Sequence, residues 1–182
     1  MPSTGDDALR VPLAGSAARK DLEARFERLL TENRASLSRL AFSYTNTAAD
    51  REDLLQDIAL ALWHALPGFR GECSDRTFLY RIAQNRALSA LARRGAERPA
   101  IDDMPADPAP LVETAIARQE ESTHLADAVR RLPLPYRQVV VLMLEGLEYG
   151  EIAEVLGISE SNVGVRLNRA RPLLRQMLGG RR

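Results

Sequence analysis

Hydrophobic positions recur three or four residues apart along most of the chain, and no stretch sustains the apolar–polar alternation of a strand. Leu22, Phe26, Leu29, Leu37, Leu40 and Tyr44 keep the helical spacing, with Asn33 as one polar interruption. They predict a long amphipathic helix from about Asp21 to Tyr44. Thr47, followed by Asp50, has the form of a helix N-cap with an acidic third position. The helix it opens carries Leu54, Leu55, Ile58, Leu62 and Leu66 on one side and stops at Pro67-Gly68. After the polar loop FRGECSDR, a third helix is expected over about Thr77 to Arg94, with Leu79, Ile82, Ala83 and Leu91 inward.

The pattern fails between Gly95 and Pro110. Pro99, Pro105, Pro108 and Pro110 exclude regular helix, and Asp102, Asp103 and Asp107 make the segment acidic, so it reads as a linker. Helical spacing resumes near Leu111, with Ile116, Leu125, Val129 and Leu132 as candidate core. Pro133 and Pro135 interrupt it before a helix holding Val139, Val140, Met143 and Leu144. Two short helices follow, over about Tyr149 to Leu156 and about Glu160 to Leu178. The expected architecture is all-α, with two small helical domains at residues 21–97 and 119–179. An acidic Pro-rich linker over 98–118 joins them, and residues 1–20, rich in Pro, Gly, Ser and Asp, read as a disordered lead-in.

The last two helices have the pattern of a helix-turn-helix in EYGEIAEVLGISESNVGVRLNRAR. Ile152, Ala153 and Leu156 are spaced to bury one face of the first helix. Gly157 supplies a left-handed turn that glycine adopts at low cost. Ile158 plugs the gap, and Ser159 can cap the second helix. Val163, Leu167, Ala170 and Leu174 continue the buried stripe. The opposite face holds Glu160, Ser161, Asn162, Val165, Arg166, Asn168 and Arg169, and polar and basic groups near the start of such a helix suit major-groove reading.

The whole chain of 182 residues has zero net charge, which decides nothing. Its local distribution does. From Ser159 to Arg182 six arginines face one acid, Glu160, a balance of +5 that attracts phosphates. Lys20 is the only lysine, so the other 24 basic residues are arginine, which suits phosphate and guanine recognition but equally follows from genomic base composition.

Composition narrows the remaining classes. No run approaches the roughly 18 apolar residues of a membrane span, and the N-terminus lacks a basic start and an apolar stretch, so a cytoplasmic location is expected. A lone Cys73 excludes an internal disulfide, and with only His64 and His124 beside it no metal centre or cofactor is expected. No paired carboxylates, nucleophile–base set or phosphate-cradling glycine loop has useful spacing. An enzyme, and with it a small-molecule substrate, is therefore not expected.

Two motifs in order now carry a family resemblance. LPLPYRQVVVLMLEGLEYGEIAEVLGISESNVGVRLNRARPLL is similar to sigma region 4, and DLLQDIALALWHALPGFRG followed by TFLYRIAQNRALSALARR resembles sigma region 2. Between about Asp21 and Leu178 the chain resembles an extracytoplasmic-function (group IV, sigma-70 family) sigma factor of bacterial RNA polymerase. The resemblance implies a dissociable subunit that binds core RNA polymerase, recognises the minus-ten and minus-thirty-five promoter elements and promotes DNA opening. Promoter DNA is then a partner, and an anti-sigma factor a further one.

Site roles follow from the same resemblance. Asp53, Leu54, Gln56 and Asp57 lie on the helix that in this family docks on the polymerase clamp, with Trp63 on the same helix as core or contact. Arg76, Tyr80, Arg81, Gln84, Asn85 and Arg86 are implied at the melted minus-ten strand, beside Phe78, where the family usually has tryptophan. Ser161, Asn162, Val165, Arg166, Asn168, Arg169 and Arg171 are implied at the minus-thirty-five element. Gly164 and Val165 depart from the lysine and small hydroxyl residue that the family often carries. The linker acids either imitate nucleic acid in the polymerase channel or form a plain tether. The rival reading is a free-standing helix-turn-helix transcriptional regulator, which would need a sensory domain, usually α/β.

Overall fold

The computed structural model describes residues 14–97 and 116–179. Seven α-helices occur among them: α1 (Ala14–Tyr44), α2 (Ala48–Ala65), α3 (Asp75–Glu97), α4 (Ile116–Arg131), α5 (Leu134–Leu144), α6 (Tyr149–Leu156) and α7 (Glu160–Gly179). A 3₁₀ turn over Leu66–Gly68 follows α2, and the described residues contain no strand.

The periodicity dictates the packing. Leu54, Ile58 and Leu62 stand one turn apart on α2 and are all buried, against Leu37, Leu40 and Tyr44 of α1 and Leu79 and Ala83 of α3 in one cluster. Each such side chain contributes about 1.5–3 kcal/mol relative to exposure. Thr47 caps α2 as its position suggests, its Oγ accepting from the Asp50 amide at 3.1 Å. In the C-terminal unit, Val129 and Leu132 of α4, Val139 to Leu142 of α5, Ile152 of α6, and Val163 and Leu167 of α7 fill the core. Leu144 instead faces out, 54% exposed.

Three boundaries differ from expectation. Helix α1 begins at Ala14, inside the segment read as a disordered lead-in. The run AGSAARK is rich in alanine, the strongest helix former, and the Arg19–Glu23 pair at 3.0 Å adds an i,i+4 contact. Helix α3 begins at Asp75 instead of Thr77 because Ser74 caps it, accepting the Thr77 amide at 3.0 Å. Helix α4 begins at Ile116, within the segment read as linker. The acids and prolines at 99–110 and Leu111 lie outside the described residues.

The two units meet directly. Helix α6 packs beside α3, and α4 and α5 pack beside α1, so that buried hydrophobic residues from both units form a single cluster.

Candidate nucleic-acid interface

The geometry of the C-terminal helix pair is built locally. Glu148 and Glu151 form a reciprocal capping box at the start of α6, with the Glu148 amide donating to Glu151 Oε2 at 2.9 Å. Its signal, Glu three residues after Glu, lies in the sequence but lacks the usual Ser or Thr at the cap. Gly157 ends α6 with φ 65° and ψ 36°, the left-handed turn its position suggests. Ser159 accepts the Asn162 amide at 3.2 Å and starts α7. Val163, Leu167 and Ala170 are buried, with Ile158 and Leu174 partly so, fixing which face of α7 turns outward.

That outward face holds the residues expected to read DNA. Ser161, Asn162, Asn168, Arg169 and Arg171 are exposed, Val165 is 45% exposed, and Arg166 is half-buried. Arg166 Nε donates to Asn162 Oδ1 at 3.0 Å, and Arg171 donates to Asn168 Oδ1 at 3.3 Å. These side-chain bonds aim two guanidiniums along the same surface. Gly164 stands where an added Cβ would meet only Tyr149 Cε2, at 3.6 Å.

The residues expected at the melted strand are not gathered on one open surface. Asn85 and Arg86 are exposed. Tyr80 is 0% and Gln84 1% exposed, a correction to the expectation that both present themselves to DNA. Gln84 Oε1 accepts the Tyr44 hydroxyl at 2.9 Å, and burial pushes both tyrosine hydroxyls, Tyr44 and Tyr80, above their ordinary pKa. Arg76 lies over the Tyr80 ring at 5.6 Å and donates to the Glu145 carbonyl, while Arg81 pairs with Glu154 at 3.0 Å. The physical reason is that the α5–α6 turn and α6 engage Arg76 and Arg81, while Tyr44 of α1 holds Gln84. Phe78 stacks on Phe69 with ring centres 4.2 Å apart, and Arg25 lies over Phe69 at 4.9 Å. Cys73, in the same loop, is half-buried, and its surroundings push the thiol pKa up, chiefly through burial.

On α2 the expected polymerase-facing residues divide. Asp53 and Gln56 are exposed, and Asp57 pairs with Arg93 at 2.8 Å. Leu54 is 2% exposed and belongs to the core, so it holds the helix in place and presents nothing to a partner. Beside the acids, Phe26, Gln56, Ala59, Leu60 and Trp63 line an open groove of about 330 Å³. Trp63 packs edge-on to Phe26 at 5.2 Å, contributing to both the packing and the groove wall.

A set of residues that periodicity did not single out joins the two units. Arg39 pairs with Glu145 at 2.6 Å, and Arg130 and Arg137 donate to backbone carbonyls near the end of α1. Arg39 and Glu145 are 106 residues apart, and no local signal links them. Among the described residues, no cluster of His, Cys, Asp and Glu could hold a metal ion, and no helix is long and apolar enough to cross a membrane.

Comparison with known proteins places these two units. Residues 29–97 match the family model for sigma-70 region 2, and residues 123–174 that for sigma-70 region 4. The chain is 35% identical to the ECF RNA polymerase sigma factor SigM of Mycobacterium tuberculosis, over 85% of this chain and 77% of that relative. It is 31% identical to the RNA polymerase sigma factor CnrH of Cupriavidus metallidurans, over 95% of each. A solved structure of CnrH in complex with the cytosolic domain of CnrY superposes with a TM-score of 0.65 at 26% identity, over 86% of this chain and 89% of that one. A sigma factor RpoE from Bartonella quintana, solved with the anti-sigma factor NepR, shares the fold with a TM-score of 0.69 at 23% identity, over 86% of this chain and 98% of that one.

Proposed function

The chain belongs to the extracytoplasmic-function sigma factors of RNA polymerase, and from that membership we propose how its own residues divide the work of promoter recognition. It acts as an alternative sigma factor: it binds core RNA polymerase, recognises promoter DNA and promotes its opening for transcription initiation. The single observation that carries the residue-level reading is the outward face of α7. There a capped, well-supported helix presents Ser161, Asn162, Arg166, Asn168, Arg169 and Arg171 beside a basic C-terminal segment. Arginine can read guanine through its fork, and asparagine can read adenine.

In this reading α7 enters the major groove at the minus-thirty-five element. Asn85 and Arg86 of α3, with Arg76 and Arg81, meet the unpaired minus-ten strand, while the buried Tyr80 and Gln84 support α3 from beneath. An extruded base costs a few kcal/mol of stacking and pairing, which those contacts must offset. Asp53, Gln56 and Asp57 face a basic partner on polymerase, with Leu54 holding α2 rigid beneath them. The segment between α3 and α4 acts as the tether between two functional units. The chain itself catalyses nothing, because polymerase makes the phosphodiester bonds. Its work on polymerase and promoter DNA puts it in the cytoplasm. An anti-sigma factor is a further partner, as NepR is of the RpoE from Bartonella quintana. The rival reading, a free-standing regulator, calls for an α/β sensory domain, and residues 21–94 are helical apart from their turns.

Footprinting with core polymerase tests the assignment. Protection of two elements, with permanganate-reactive thymines only at the downstream one, is the expected result. Arg166→Ala or Arg169→Ala should weaken promoter binding by about 1–3 kcal/mol where the side chain reads a base. Unchanged binding in both variants would refute α7 as the reading helix.

A further inference from the structure

The loop that joins α2 to α3 is held at both ends by one side chain of α1. Phe69 begins the loop, its amide donating to the Leu66 carbonyl at 3.1 Å. Asp75 closes it as the first residue of α3. Arg25 reaches both ends. Its guanidinium lies over the Phe69 ring, 4.9 Å from the centre, and donates to both Asp75 oxygens, through Nε at 3.1 Å. The Phe69 ring is itself stacked on Phe78, with centres 4.2 Å apart and planes at 21°, and Phe78 packs against the buried cluster. Between the two ends Arg70, Gly71, Glu72 and Ser74 are exposed.

A forked pair with a carboxylate and a contact on a ring face together fix the plane of a guanidinium. That plane sets where the two ends of the loop stand relative to each other. Arg25 and Asp75 are each 32% exposed, so solvent screens the pair and its share of global stability is small. Its effect is local. A loop held in advance loses less freedom when it takes up a ligand. This loop leads directly into Arg76 and the α3 residues proposed to meet the unpaired strand, where contacts must offset the cost of extruding a base.

We propose that Arg25 is a positioning residue for promoter opening: without touching DNA, it holds the α2–α3 loop, through Phe69 and Asp75, in the shape that receives the unpaired minus-ten strand. The inference rests on the sigma-factor reading and deepens it. Two substitutions separate this role from a direct contact between Arg25 and a phosphate. Lysine keeps the charge and binds phosphate but cannot form the fork. Asp75→Asn removes a negative charge, which would strengthen a direct contact but weakens a positioning one.

The test uses the full chain with core RNA polymerase on two templates, the duplex promoter upstream of its own gene and the same promoter mismatched over the minus-ten element. Permanganate reactivity reads opening on the duplex, and run-off transcription at saturating holoenzyme reads output on both. Arg25→Ala, Arg25→Lys and Asp75→Asn should each lower opening on the duplex by roughly fivefold or more, yet match wild type within about twofold on the mismatched template. Adding Arg25→Ala to Phe69→Leu should cost little further, because both act through one loop. Amide exchange of each variant without polymerase should quicken at residues 70–73 and stay unchanged in the cores of α1, α2 and α3. Equal losses on both templates, or exchange that quickens throughout the unit, would mark a folding defect and overturn the proposal. Full opening by Arg25→Lys, stronger opening by Asp75→Asn, or additive losses with Phe69→Leu would overturn it too. If wild type gives no transcript on either template, the sigma-factor reading falls. Exchange at residues 70–73 then decides alone whether Arg25 holds the loop, and an unchanged rate in Arg25→Ala would show that it does not.

Discussion

Asp75 lies in the first turn of α3, where Arg25 of α1 donates to both its oxygens and Arg28 approaches at 3.6 Å. The hydrogen bond from Arg25 holds its carboxyl below the ordinary carboxylate range, with the charges of Arg25 and Arg28 adding to it against burial. A carboxyl depressed in the folded state stabilises it at pH values above the unfolded pKa, about 3.9. That stability is lost as pH falls through the folded pKa. About a third of each partner is exposed, so solvent screens the pair, and its contribution is about 0.5–1 kcal/mol. Asp75→Asn should lower stability by about that amount at pH 7, and the difference from wild type should shrink as pH falls through the acid range, as read by urea unfolding across a pH series. A loss that stays equal across the series would show that charge is not the cause. This residue also shows what a sequence conceals. Thr47 and Ser159 could be read as caps because a cap and its amide lie three residues apart. Asp75 and Arg25 are 50 residues apart, and nothing near either one names the other.

Helix α7 poses a question of backbone cost. Gly157, just before it, has a positive φ that alanine adopts only with strain, whereas Gly164 sits inside the helix with room for a methyl group. Gly157→Ala should therefore destabilise the protein by about 1–2 kcal/mol. Gly164→Ala should stabilise it by about 1 kcal/mol, raising Tm by roughly 2–4 °C for a chain of this size. Thermal unfolding of the two variants checks both signs, and a loss with Gly164→Ala would mean that close contact with Tyr149 governs that position. At this scale most of the structure was legible. The spacing of Leu54, Ile58 and Leu62 specified the buried side of α2, and Val163, Leu167 and Ala170 that of α7, because periodicity records which face is dry. It could not record which neighbour keeps that face dry. Tyr80 and Gln84 share a face of α3 with polar Arg76, so the pattern reads as a surface until α1 and α6 are laid against it.

For the molecule as a whole, the two units form one buried cluster, yet the promoter elements they serve are separate stretches of DNA. On the proposed function, two modest contacts held together by polymerase add to strong binding. The helix-turn-helix could be read from sequence alone as a DNA-binding element; the division into a minus-ten and a minus-thirty-five unit required both motifs in order. Which surface is covered when the units meet was not legible, since Arg39, Arg76 and Arg81 find partners more than 60 residues away.

Run-off transcription tests the central claim most directly. Core RNA polymerase is mixed with the purified chain and a linear template carrying the promoter upstream of the chain's own gene. The predicted result is a discrete transcript that requires both the chain and the promoter and is lost when either promoter element is scrambled. A chain that neither associates with core polymerase nor directs a transcript from any promoter, while still binding duplex DNA through α7, would contradict the account.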